Sequence, residues 1–189
     1  MRKKPLFTTK KIVLAALLAA LTVAGSAMRI TLPIDIAGTT SFHLGNIFCA
    51  LSGILLGPWL GGLAAGLGSA IYDMFNPLYI SEAWITFLFK GAYGLAAGLV
   101  VWSAKKEWGY PRAIIGTSAG ALVYAALYLL KSYFYSGLLL HGLTPDAAWL
   151  TVFAKLPSTI FNAAVAIIFA PILAIAIRTA LNKAHLSLE

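Results

Sequence analysis

Three lysines stand inside strongly apolar stretches: Lys90 in FLFKGAYG, Lys131 in YLLKSYFY and Lys155 in VFAKLPS. A charged side chain in hydrocarbon costs at least ~2.5–3.5 kcal/mol on insertion scales. Each lysine therefore needs a partner, a cavity or a route to the interface. Snorkelling to the interface accounts for Lys131 and Lys155 as well as binding does. Lys90 follows Glu82 by eight residues, or about 12 Å along a helix, too deep for that route. Its first candidate partner is Asp73. Together the lysines suit an acceptor-rich or anionic small molecule, whereas Asp73 and Glu82 suit a ring amine. Tyr128, Lys131 and Tyr135 share one helical face by their spacing, a face suited to stacking on a flat heterocycle. Asn162, one turn beyond Ser158, offers a bidentate amide, and an interhelical hydrogen bond is its other reading.

Other chemistries lack their residues. His43, His141 and His185 are far apart with no carboxylate cluster beside them, so no metal site is expected. There is no Walker lysine loop and no GxSxG elbow; GTSAG at 116–120 is a run of small residues suited to helix packing. Cys49 is the single cysteine, which excludes an internal disulfide. No catalytic residue and no cofactor are expected.

The elements that position these side chains are membrane helices. Of 189 residues, 60% are hydrophobic and 11% charged, against about 25% charged in soluble domains. The net charge of +8 does not signal nucleic acid, because the basic residues gather at the chain ends and in one connector. Apolar runs predict helices at about Ile12–Ile30, Phe42–Leu56, Trp59–Phe75, Glu82–Ala104, Ala113–Leu140 and Ala148–Leu181, the last tilted or kinked at Pro157 and Pro171. The second and third are shorter than the roughly 20 residues of a full span. Leu32–Ser41 reads as an external loop. A signal peptide ending near Ala27 is the alternative for the first run. Ten basic residues (Arg2, Lys3, Lys4, Lys10, Lys11, Lys105, Lys106, Arg112, Arg178 and Lys183) fall on one side and only Arg29 on the other. The positive-inside rule then puts both termini in the cytoplasm. Asp35, Glu82 and Asp146 fall outside, with Asp73 near the outer end of the third helix. The expectation is a single all-α domain over 1–189, a bundle of six transmembrane helices.

In the first helix Ala15/Ala19 and Ala16/Ala20/Ala24 recur every four residues. Such a face lets another helix approach closely, within the bundle or from a partner.

An alanine-striped first helix after a basic start, with the run FHLGN…LLGPWLGGLAAGLGSAIYDMF, resembles the S components of energy-coupling factor (ECF) transporters. The similarity spans nearly the whole chain and is greatest to the branch of hydroxymethylpyrimidine, pyridoxine and riboflavin binders. The resemblance implies a substrate-binding subunit in the bacterial cell membrane that is not an enzyme. Such a subunit takes a vitamin or precursor from outside, joins a transmembrane coupling protein with two ATPases, and topples to deliver its cargo. It implies docking through Ala15, Ala16, Ala19 and Ala20. It also implies a pocket using Glu82, Trp84, Lys90, Tyr128, Lys131, Tyr135, Lys155 and Asn162, with the 34–41 and 141–147 loops as gates. A pyridoxine- or pyrimidine-like ring is the expected cargo. The competing readings are a lipid-modifying membrane enzyme, a ligand-free accessory subunit and a self-sufficient secondary transporter.

Overall fold

A computed structural model describes residues 8–34, 38–103 and 108–185. Arg2, Lys3, Lys4, Asp35, Lys105 and Lys106, which enter the charge-based topology, lie outside the described residues. The elements in chain order are α1 (Thr9–Ala27), a β-hairpin of β1 (Arg29–Ile34) and β2 (Gly38–His43), α2 (Gly45–Leu56), α3 (Pro58–Met74), a short 3₁₀ turn (Ile80–Glu82), α4 (Ala83–Trp102), α5 (Tyr110–Lys131), a π-helical continuation (Ser132–Leu140) and α6 (Pro145–Lys183).

Local chemistry sets the helix starts. Thr8 and Thr144 accept from the backbone N–H of Lys11 (3.3 Å) and Ala147 (3.4 Å), and Pro145 fills the first turn of α6, where no donor is needed. Between α2 and α3 the chain reverses at Gly57, whose φ of +81° favours glycine, and Pro58 opens α3. Arg112 Nε donates to the Val100 carbonyl at the end of α4 (2.9 Å), supplying a cation and a donor where the helix has carbonyls to spare.

Among the described residues four stretches are long and apolar enough to cross a membrane: Thr9–Ala27, Ile80–Trp102, Tyr110–Leu140 and Pro145–Lys183. The other two helices, α2 and α3, have 12 and 17 residues. α6 runs through both internal prolines for 39 residues, about 58 Å at 1.5 Å per residue. That exceeds the hydrocarbon thickness, so α6 must tilt or project beyond it.

The hairpin corrects the loop expected at Leu32–Ser41, and it shortens the first helix, which ends at Ala27. Its strands pair antiparallel from Arg29↔His43 to Ile34↔Gly38. Proline, glycine and an acid point to a loop, but Thr31, Thr39, Thr40 and Ile30 are β-formers, and Pro33 sits in a two-stranded sheet with a free edge.

α2 is the hub. It contacts α1, α3, α4, α5 and α6, and nearly all of its residues are buried. Cys49, Ala50, Leu51 and Ile54 are fully enclosed. Backbones approach closely here because the contacts are glycines: a β-carbon on Gly53 would lie 2.2 Å from the Gly94 carbonyl oxygen, and one on Gly61 2.4 Å from that of Ser52.

Gly53→Val should therefore lower the thermal unfolding midpoint in detergent, with overpacking costing about 1–3 kcal/mol or more. Gly91→Ala, whose added carbon meets only the Gly62 oxygen at 3.5 Å, should be neutral or stabilising. Equal midpoints for wild type and Gly53→Val would show that α2 and α4 separate freely.

Candidate functional site

At the hairpin end the helices part around a cavity of about 330 Å³, within the range of small-molecule sites. Its walls come from the hairpin, the 3₁₀ turn, α3, α4, α5 and α6. Asp73, Glu82, Lys90, Tyr128, Lys131, Lys155 and Asn162 all line it. Trp84 does not: it is exposed, six residues and thus about 120° around α4 from Lys90. Tyr135 is also outside the lining. Past Lys131 the backbone becomes π-helical, which breaks the four-residue register assumed for Tyr135, and its ring stays 5.9 Å from Lys131 Nζ. The face that reaches the cavity is instead Tyr124–Tyr128–Lys131.

Lys90 is buried, and its ammonium donates to Asn46 Oδ1 at the start of α2 and lies 3.9 Å from the centre of the Tyr124 ring. This corrects the expected pairing with Asp73, which is buried beside Thr86 on α4 and not within ion-pair distance of Lys90. The ion pair at the site is Lys131–Glu82. Snorkelling is thus not the state of Lys131, which bridges α5 to the start of α4, nor of Lys155, which is 4% exposed beneath the Tyr128 ring (5.7 Å). The tyrosines form a column, Tyr93–Tyr124–Tyr128, with centroids 6.0 and 5.8 Å apart. One face of Tyr128 is therefore already stacked by the protein. The Tyr93 hydroxyl, behind the cavity, is buried with no partner among the described residues.

The hairpin roofs the cavity and is tied down by polar contacts. Asn162 does make a bidentate amide contact, but to backbone: its Oδ1 accepts from His43 N–H (2.9 Å) and its Nδ2 donates to the Ser41 carbonyl (2.8 Å). Thr40 and Ser158 share a hydroxyl hydrogen bond. Tyr79 Oη bonds the hydroxyls of Thr39 (3.1 Å) and Ser41 (3.0 Å). Burial raises the Tyr79 pKa, but the Ser41 and Thr39 hydroxyls and the neighbouring Arg29 guanidinium outweigh it and leave the phenol below its usual value. Arg29 lies over the Tyr72 and Tyr79 rings (4.1 and 4.9 Å). His43 Nδ1 accepts from Gly45 N–H (3.1 Å), so a neutral ring carries its proton on Nε2. From the 141–147 connection, only His141 reaches the lining. Arg29, His43 and Tyr124 escaped the sequence reading: Arg29 and His43 reach the cavity through the hairpin, while Tyr124, on α5, left a signal in its place four residues before Tyr128.

The alanines of α1 divide. Ala15 is buried and Ala19 half-buried, with the Ala19 carbonyl against Gly68 of α3, while Ala16 and Ala20 are exposed.

The profile of the family described as ECF-type riboflavin transporter, S component, matches residues 6–179. The chain belongs to that family. That family is one of transporter S components, and the several apolar helices are those of a multi-pass membrane protein. A Pyrococcus woesei protein described only as an uncharacterized protein in the gap 3' region is 34% identical over 118 residues, 62% of this chain and 74% of that one. The solved S component of a bacterial ECF transporter has the same fold: TM-score 0.63 at 18% identity, covering 93% of this chain and 97% of that one.

In this S component, Asn162→Ala removes both amide bonds between α6 and the roof. Buried groups left unsatisfied cost about 1–3 kcal/mol, so hydrogen exchange at the His43 amide should quicken by about tenfold or more, with exchange in α2 unchanged. An unchanged rate would mean that the hairpin holds its place without α6.

Proposed function

We propose that the chain is the substrate-capturing subunit of an ECF-type importer, taking up a heterocyclic vitamin or vitamin precursor. The observation that carries this reading is a polar cavity, roofed by a tethered hairpin, at one end of an apolar bundle in an S-component family. Ligand-free accessory subunits have no use for buried lysines around such a space, since each costs several kcal/mol to desolvate.

In this reading the whole chain is one unit, all six helices lie in the cell membrane, and the hairpin end faces outward. Arg112, Arg178 and Lys183 at the opposite end support that orientation. Cargo enters when the hairpin lifts from α6. The ligand meets Lys90, Lys131 and Lys155 with Asp73, Glu82 and Tyr128 around it, while Asn162 acts through the roof. Pyridoxine- and pyrimidine-like rings, and riboflavin from the family's description, are the first candidates. The partners are a transmembrane coupling protein and its two ATPases. Their docking face is the exposed Ala16/Ala20 edge of α1, whereas Ala15 and Ala19 seat α1 against the bundle.

Two measurements test this. A ligand at 100 times its dissociation constant stabilises a protein by about 2.7 kcal/mol, so a thermal-shift screen of the purified chain against B vitamins and precursors should show a selective rise. No rise from folded protein would favour the accessory reading. Ala20→Trp should abolish coupled uptake and spare binding; loss of binding instead would place this face at the pocket.

A further inference from the structure

The cavity is charged out of proportion to its counter-ions. Arg29, Lys90, Lys131 and Lys155 line it against two carboxylates, Asp73 and Glu82. Glu82 is committed to Lys131. Asp73 sits beside Thr86, out of ion-pair range of any of the four. Arg29 spreads its charge over two tyrosine rings and donates to the Ser26 carbonyl (2.7 Å). Lys90 has a neutral amide and a ring.

Lys155 is the extreme case. It is 4% exposed, faces the cavity, and its ammonium has no hydrogen-bond acceptor among the described residues. A ring 5.7 Å away is its closest recorded contact. The charges acting on it are a like one, Lys131, and the already paired Glu82. The side chain is thus buried while its ammonium opens on the cavity with neither a counter-charge nor a protein acceptor of its own. Ser158 and Thr159 donate their hydroxyl hydrogens to the Lys155 carbonyl (3.0 and 2.8 Å), and neither hydroxyl is bonded to its ammonium.

We propose that the cargo is anionic: it carries a phosphate or carboxylate group that the Lys155 ammonium receives inside the roofed cavity. This rests on the S-component reading and narrows it, since many heterocyclic vitamins are neutral. The ligand supplies the acceptor that the protein withholds, so Lys155 discriminates for charge while Lys90, held by Asn46 and Tyr124, keeps a fixed position deeper in the wall. A charge-assisted hydrogen bond is worth enough to separate an anion from its neutral analogue by about tenfold to a hundredfold in affinity.

The test is equilibrium titration of the detergent-purified full chain with matched pairs: riboflavin and riboflavin 5′-phosphate, pyridoxine and pyridoxine 5′-phosphate, nicotinamide and nicotinate. The first two pairs report a phosphate and the third a carboxylate. The expected result is that, in a pair that binds, the anion binds about tenfold or more tighter. Lys155→Met should bring that ratio near one, and Lys155→Arg should keep most of it. A neutral member binding as tightly as its anion would overturn the inference and leave the S-component reading standing. Binding of no member, by protein shown to be folded, would count against both. The wild-type ratio decides the matter even if Lys155→Met does not fold.

Discussion

An ammonium group enclosed in an apolar bundle must be solvated by the protein itself, and Lys90 shows how this chain meets that demand. Its donor goes to Asn46 at the first turn of the central helix, and its charge lies over the Tyr124 ring. One side chain of α4 thereby ties together α2 and α5. That contact needs three helices at fixed separations, so the close packing elsewhere in the bundle serves it. Gly53 and Gly94 bring α2 against α4, and Gly116 and Gly120 bring α5 against α4, backbone close to backbone. In lipid this kind of packing, rather than hydrophobic collapse, holds helices together.

The molecule is consequently built in two parts. Around the glycines it is dense, and α2 is covered from all sides. Towards the hairpin the side chains grow large and polar, and the helices enclose space. The hairpin makes a suitable roof because its strands satisfy about half of each other's backbone groups, and Asn162 satisfies two more at Ser41 and His43. An irregular loop there would leave unpaired donors above a low-dielectric cavity. The tether consists of a few hydrogen bonds, each worth about 1 kcal/mol net. Opening is therefore affordable without unfolding the bundle.

Much of this was legible in the sequence, because hydrophobicity and local signals are one-dimensional. The apolar runs located the helices to within a few residues, the Gly57-Pro58 turn marked the α2–α3 junction, and the lysines in apolar runs marked the cavity. The apolar composition and low charge content gave a membrane protein, and the FHLGN…LLGP…GG…YD run gave its family. Tertiary structure decided which side chains meet. Lys90 chose the neutral Asn46, 44 residues away, over Asp73, because burial depth and rotation of α2 are set by packing that no spacing rule contains. Trp84 and Tyr135 were lost from the site through helix phase and a switch to π-helical winding. The hairpin emerged only when two short strands found each other above the cavity. Periodicity fixes what a segment is; partners across the fold depend on distances that exist only once every helix is in place.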